Sequence, residues 1–205
     1  MIKKISVSAL LAVIAFASSS CATPEMKVKV SLQQDKIIGD VNRNLRSVKV
    51  YRNLLDTILL ADVLWYKPEI KKAVVDFGKA DGRIDAEQEK KMLADIAEKD
   101  DKELEFIAGI VTGDIRWNDF EKEDSMWRVT LKTADGQLVT PLAVEKLKLN
   151  KMQDAWLFPF LTEWKSVYRI RFAKTPSLTG MDAYTLRFTS MAGEGTFNWE
   201  TRQPK

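Results

Sequence analysis

Hydrophobic positions change their period twice along this chain. Met26, Val28, Val30 and Leu32 alternate with Lys27, Lys29 and Ser31, the two-residue period of a strand with one buried face. From Asp40 to Tyr66 the apolar residues Val41, Leu45, Val48, Leu55, Ile58 and Leu59 recur at helical steps, and Pro68 closes the run. That pattern predicts a long amphipathic helix. Further helices are predicted near 69–79, 86–99 and 102–111. Asp85 with Gln88, and Asp100 with Glu103, have capping-box spacing, in which two side chains satisfy each other's free backbone N–H groups at a helix start.

Beyond Ser125 the two-residue period takes over. Trp127, Val129 and Leu131 alternate with Arg128, Thr130 and Lys132, and Asp135-Gly136 supplies a hairpin turn. Tyr168, Ile170 and Phe172 alternate with Arg169 and Arg171, then Tyr184, Leu186 and Phe188 with Thr185 and Arg187, and Phe197 and Trp199 continue the theme. The expectation is an α+β fold, with an N-terminal helical segment followed by a mostly antiparallel β-sheet or small sandwich. Residues 26–124 form the mainly helical region, with a possible first strand, and 125–205 the β-rich region.

Composition narrows the chemistry. A chain of 205 residues is long enough for one or two compact units, and 45% hydrophobic with 30% charged residues excludes a multi-span membrane protein and a wholly disordered one. There is no histidine and one cysteine. The commonest general base and metal ligand is therefore missing, and neither a disulfide framework nor a Cys-rich zinc site can form within one chain. No Gly-x-Ser-x-Gly elbow is present. The chain reads as non-catalytic, with no catalytic residue, metal ligand or cofactor assigned. Asp114, Asp119, Glu121 and Glu123 offer carboxylates for a hydrolase, yet they read better as a solvated loop, so a carboxylate-based hydrolase is the least favoured function.

The one cysteine matters because of where it falls. Met1 to Lys4 is a short basic start, Ile5 to Phe16 a mainly apolar stretch of twelve, and Ala17 to Ser20 a run of small residues ending at Cys21. This is the anatomy of an export signal, and twelve residues are too few to span a bilayer. With Ser18-Ser19-Ser20-Cys21 as its lipobox, the segment resembles a bacterial lipoprotein precursor. The resemblance covers residues 1–21. It implies that residues 1–20 are removed, that Cys21 is acylated and anchors the protein in the membrane, and, since Ala22 rather than Asp follows, that this is the outer membrane. Cleavage after Ala17 is the alternative, leaving an unanchored protein with a thiol near its start. Ala22 to Glu25 reads as a tether too short to hold the body far from the lipid.

Charge adds a candidate surface. Residues 76–124 hold 16 acidic and 8 basic side chains and residues 125–205 hold 7 acidic and 12 basic, so acid and base are segregated while the whole stays near neutral. Basic side chains recur at outward strand positions: Lys27, Lys29, Arg128, Lys132, Arg169, Arg171 and Arg187. If these strands neighbour one another they form a cationic face for an anionic envelope polymer or lipid phosphate. The alternative is a set of solvated charges paired with the acidic segment. Nucleic acid is not an expected partner. An envelope protein or glycan is, and six tryptophans, at positions 65, 117, 127, 156, 164 and 199, would suit sugar stacking if exposed, although Trp127 and Trp199 fall on the buried phase of strands.

Around Asp81 the chain is similar to an EF-hand loop at Asp81, Gly82, Ile84 and Asp85. Phe77, Lys79 and Gln88 occupy the positions where calcium needs oxygens. The expectation here is a turn, with Gly82 ending one helix and Asp85 capping the next. The leading function is a binding, accessory or assembly role at the envelope, and the second a glycan- or peptidoglycan-binding module.

Overall fold

Two runs rich in β-branched and aromatic residues, Thr57–Trp65 and Glu103–Thr112, build the middle of the protein. The computed structural model describes residues 24–133, 136–176, 178 and 183–200. In it the chain runs α1 (Pro24–Asn44), β1 (Leu45–Tyr51), β2 (Thr57–Trp65), α2 (Pro68–Ala80), α3 (Ala86–Lys102) and β3 (Glu103–Thr112). A 3-10 turn (Ile115–Trp117), β4 (Arg128–Lys132), β5 (Leu138–Val139), β6 (Ala143–Leu147), the short α4 (Lys151–Asp154), β7 (Ser166–Ala173), β8 (Ala183–Thr189) and β9 (Glu194–Glu200) follow. All pairings are antiparallel, in a five-stranded sheet ordered β1-β2-β3-β7-β6 and a four-stranded sheet ordered β5-β4-β8-β9. The fold is α+β.

Three layers result. Leu59, Ala61, Val63, Phe106, Ala108, Tyr168, Ile170 and Phe172 of the five-stranded sheet pack against Leu131, Leu186, Phe188, Phe197 and Trp199 of the four-stranded one. On the other face of the five-stranded sheet, Leu64, Ile107 and Val167 meet Ile37 and Val41 of α1, Ile70 and Phe77 of α2, and Leu157, Phe158 and Phe160 of the segment before β7. In the run Ala155 to Phe160 the side chains of Leu157, Phe158 and Phe160 are buried and seal the helical layer onto the sheet, while Ala155 and Pro159 are exposed. Helix α3 buries none of its residues.

Several local expectations are corrected. Residues 26–32 belong to α1 and form no strand; Pro24 opens that helix, as suits a residue with fixed φ and no N–H. The helix expected over Asp40 to Tyr66 ends at Asn44, and β1 and β2 take its place. The cause is local. Asn53 Oδ1 accepts the N–H groups of Leu55 (3.0 Å) and Asp56 (2.9 Å), an Asx turn that breaks a helix and starts a hairpin. Beyond it Leu59, Ala61, Val63 and Trp65 face the sandwich while Leu64 faces the helices. A strand covered on both sides is almost continuously apolar and imitates a buried helix.

The helix expected over 102–111 is likewise β3, the central strand between β2 and β7. No helix starts at Asp100, which lies inside α3. Residues 26–124 hold the three long helices and also supply three strands of the five-stranded sheet, while residues 125–205 supply the other two. Asp135 lies outside the described residues. On either side of it, Leu131 pairs with Val139, and Gly136, at φ 87°, donates its N–H to Thr133 O at 3.0 Å.

The turn around Asp81 forms as expected, with Gly82 at φ 73° and Asp85 accepting from the N–H groups of Glu87 (2.9 Å) and Gln88 (2.8 Å) while Gln88 accepts from Asp85 N–H (3.0 Å). Because α3 has no buried residue to hold it, this cap sets its first turn. Replacing Asp85 with Ala is expected to cost about 1 kcal/mol locally. Hydrogen exchange at the amides of Glu87 and Gln88 should accelerate roughly fivefold while β3 amides stay unchanged.

Candidate binding surfaces

The five basic side chains assigned to a cationic face do not share one. Arg128, Lys132 and Arg187 stand on the outer side of the four-stranded sheet, opposite the inward Val129, Leu131, Leu186 and Phe188. Arg169 and Arg171 stand on the outer side of the five-stranded sheet, out of phase with the inward Tyr168, Ile170 and Phe172. The two outer sides face opposite directions, as sandwich geometry requires. Lys27 and Lys29 fall in α1 and not on a strand.

Three of these arginines have their counter-anions within the fold. Arg169 Nε donates to Glu145 Oε2 at 2.9 Å. Arg171 lies between Glu103 and Glu145, with contacts of 3.2 Å to each. Arg187 grips Glu194 through two bonds of 2.8 Å, the fork-on-fork geometry that suits guanidinium and carboxylate. The hydrogen bond from Arg169 holds Glu145 below the usual carboxylate range, and that from Arg187 does the same to Glu194. Register explains the first set: Arg169 is paired with Glu145, and Arg171 with Glu105 next to Glu103. Arg128 and Lys132 make no ion pair among the described residues.

A cleft of about 290 Å³ lies where β2 leaves for α2 and α3 enters β3. Its lining includes Trp65, Tyr66, Lys67, Lys71, Lys174 and Tyr184. Lys71 is paired with Glu105, and Lys174 with Asp100 at 3.2 Å. Lys67 has no carboxylate within ion-pair distance among the described residues; its Nζ lies 4.0 Å from the centre of the Trp65 ring. Burial pushes the Lys67 amine below the usual lysine range, opposed by the nearby Glu69. Burial raises the Tyr66 hydroxyl, with Glu105 adding to the effect. Glu69, Asp100, Glu103 and Glu105 share the lining with the three lysines, so the cleft carries no cationic excess, and its distinguishing feature is one ammonium held over an aromatic ring. Sequence alone does not show this site, because the apolar run up to Tyr66 imitates a helix and β2, α2, α3 and β3 meet only in the fold.

A second, more apolar hollow of about 550 Å³ is bounded by Phe77, Ile84, Arg83 and Trp156. The Phe77 and Trp156 rings lie 5.1 Å apart, and the Arg83 guanidinium sits 5.1 Å from the Phe77 ring.

The tryptophans mostly serve packing. Trp65, Trp127 and Trp199 are buried, Trp117 and Trp156 half-buried, and Trp164 exposed. Trp127 stacks on Phe120 with ring centres 5.4 Å apart. A glycan therefore finds one open indole face rather than a platform.

The carboxylates considered for hydrolysis lie between β3 and β4. Hydrogen bonds from Arg116 push Asp114 down to about 2, which keeps it ionised. Asp119 accepts from Ser125 Oγ at 3.0 Å, and Glu121 and Glu123 are exposed. Asp81 pairs with Arg83 at 2.7 Å. Among the described residues no three metal-ligating side chains come together, and no helix is long and apolar enough to cross a membrane. Cys21 lies outside the described residues. Compared with known proteins, the chain matches no family profile and no curated protein.

Proposed function

We propose that this protein is a non-catalytic lipoprotein of the bacterial outer membrane, held there by acylated Cys21, whose sandwich works by binding an envelope partner in an accessory or assembly role. One observation carries the reading: the chain's only cysteine stands where its export signal ends. Helix α1 opens at Pro24, three residues after Cys21, so Pro24 and Glu25 belong to the body. A lipid anchor there holds the folded part against the bilayer surface. The Lys67–Trp65 cleft supports a binding role, since it offers an ammonium over an aromatic ring with no ion pair among the described residues.

Cys21→Ala tests the anchor. In cells making the full chain, at least nine-tenths of the wild-type protein is expected to stay with membranes after an alkaline wash, and the variant to move to the soluble fraction. A variant retained as fully as wild type contradicts the reading.

A further inference from the structure

We propose that one end of the β-sandwich is a second membrane contact, which partitions into the interfacial region of the bilayer through Leu54, Leu55, Ile115, Trp164 and Met191. These are the five most exposed large apolar side chains among the described residues, each at least 83% exposed. Register places all five at the same end. Leu54 and Leu55 tip the β1–β2 hairpin, and Ile115 follows β3, whose last residue, Thr112, pairs with Leu59 near the start of β2. Trp164 precedes β7, whose first residue, Ser166, pairs with Ile110 near the end of β3. Met191 tips the β8–β9 hairpin, which reaches the same end because Gly193 packs on Val50 and Ile58.

Single exposed apolar residues are ordinary, but five on four separate connections at one end are not. None of the five lines the Lys67 cleft or the hollow beside Trp156, and a bilayer, which needs no matching shape, fits side chains spread over four connections better than a protein segment. Tryptophan and leucine are the residues that interfacial lipid favours.

The chain outside the structure indicates which surface they meet. Helix α1 ends at Asn44, at the opposite end of the sandwich, where Asn44 O accepts from Trp199 Nε1 at 2.7 Å. Ten residues earlier Gln34 already shares a hollow with Gln153 and Asp154, just beyond the point where β6 stops at the loop-tip end. From there α1 continues for about 15 Å to Pro24, at 1.5 Å per residue. The N-terminal end of α1 thus lies on the side of the loop tips, and an anchor three residues before it would reach the same bilayer. This part of the inference rests on the lipoprotein reading.

Charge predicts the lipid. With the segment between α4 and β7 included, these connections hold seven acidic and four basic side chains, so attraction to anionic lipid is not the driving force. Contact with zwitterionic bilayers should be insensitive to salt.

The test uses the processed chain without its anchor, beginning at Ala22, with phosphatidylcholine vesicles. Wild type should float with vesicles equally at low and high salt, and its tryptophan emission should shift to the blue. Leu54→Ser with Leu55→Ser should lower the partition coefficient about tenfold or more, as burying even one such side chain would supply. Leu138→Ser with Leu142→Ser, exposed at the opposite end, should leave it unchanged. All four positions are exposed, so both variants should melt like wild type. No flotation of wild type, equal flotation of the tip variant, or self-association in solution that the tip variant abolishes would overturn the inference. None of those outcomes touches the Cys21→Ala result, which stands or falls on the anchor alone.

Discussion

Trp199→Ala is expected to lower the unfolding free energy by about 4 kcal/mol, the upper range for truncating a buried aromatic. The indole is 1% exposed and is one of the largest fully buried side chains. Its ring centre lies 5.2 Å from that of Phe106 and 6.3 Å from that of Phe197, so it touches both sheets. Its Nε1 donates to Asn44 O, at the junction between α1 and β1. One side chain therefore ties the last described strand to the helical layer. Trp199→Phe should cost less, about 1–2 kcal/mol, because it keeps an aromatic ring and loses the hydrogen bond. Urea unfolding followed by circular dichroism measures both. A loss below about 1 kcal/mol for the alanine variant would mean that Trp199 is not part of this core.

Gly113→Ala is expected to cost about 3 kcal/mol although the position is exposed. A Cβ at Gly113 would stand 2.0 Å from the carbonyl oxygen of Thr57. Because that atom is backbone, no side-chain rotation relieves the contact. Gly113 N–H also donates to Ile58 O at 3.2 Å, at the end of the β2–β3 ladder. Alanine would therefore pry apart two central strands. The melting temperature should fall by several degrees for a domain of this size, and a shift under one degree would contradict the close approach.

How much of this was legible in the sequence depended on burial. Strands with one polar side gave themselves away: β4, β7, β8 and β9 show clean alternation and lie where it placed them. So did the α2–α3 turn, because Gly82 and Asp85 act through local geometry. The failures fall on β2 and β3, which are covered on both faces, by helices on one side and the second sheet on the other. Their continuous apolar runs carry no period to read. The one local clue to the β1–β2 hairpin was Asn53, whose Asx turn lies between the apolar stretches.

The cationic surface failed for a different reason. Alternation tells which strand positions point outward but not which sheet a strand joins, and Arg128 and Arg169 joined different ones. The partners of Arg169 and Arg171 come from β3 and β6, Glu103 and Glu145, far apart in sequence and adjacent only through register. The Lys67 cleft depends likewise on α2, α3 and β3 meeting. The loop-tip residues, by contrast, need the topology alone.

The mature N-terminus distinguishes an acylated protein from one cleaved and released. The protein would be taken from native membranes and its N-terminal peptide analysed by mass spectrometry, with metabolic palmitate labelling in parallel. The expected result is a chain that begins at Cys21, with the cysteine carrying acyl groups and the label absent from Cys21→Ala. A chain that begins at Ser18, unlabelled and with a free thiol at Cys21, would contradict it.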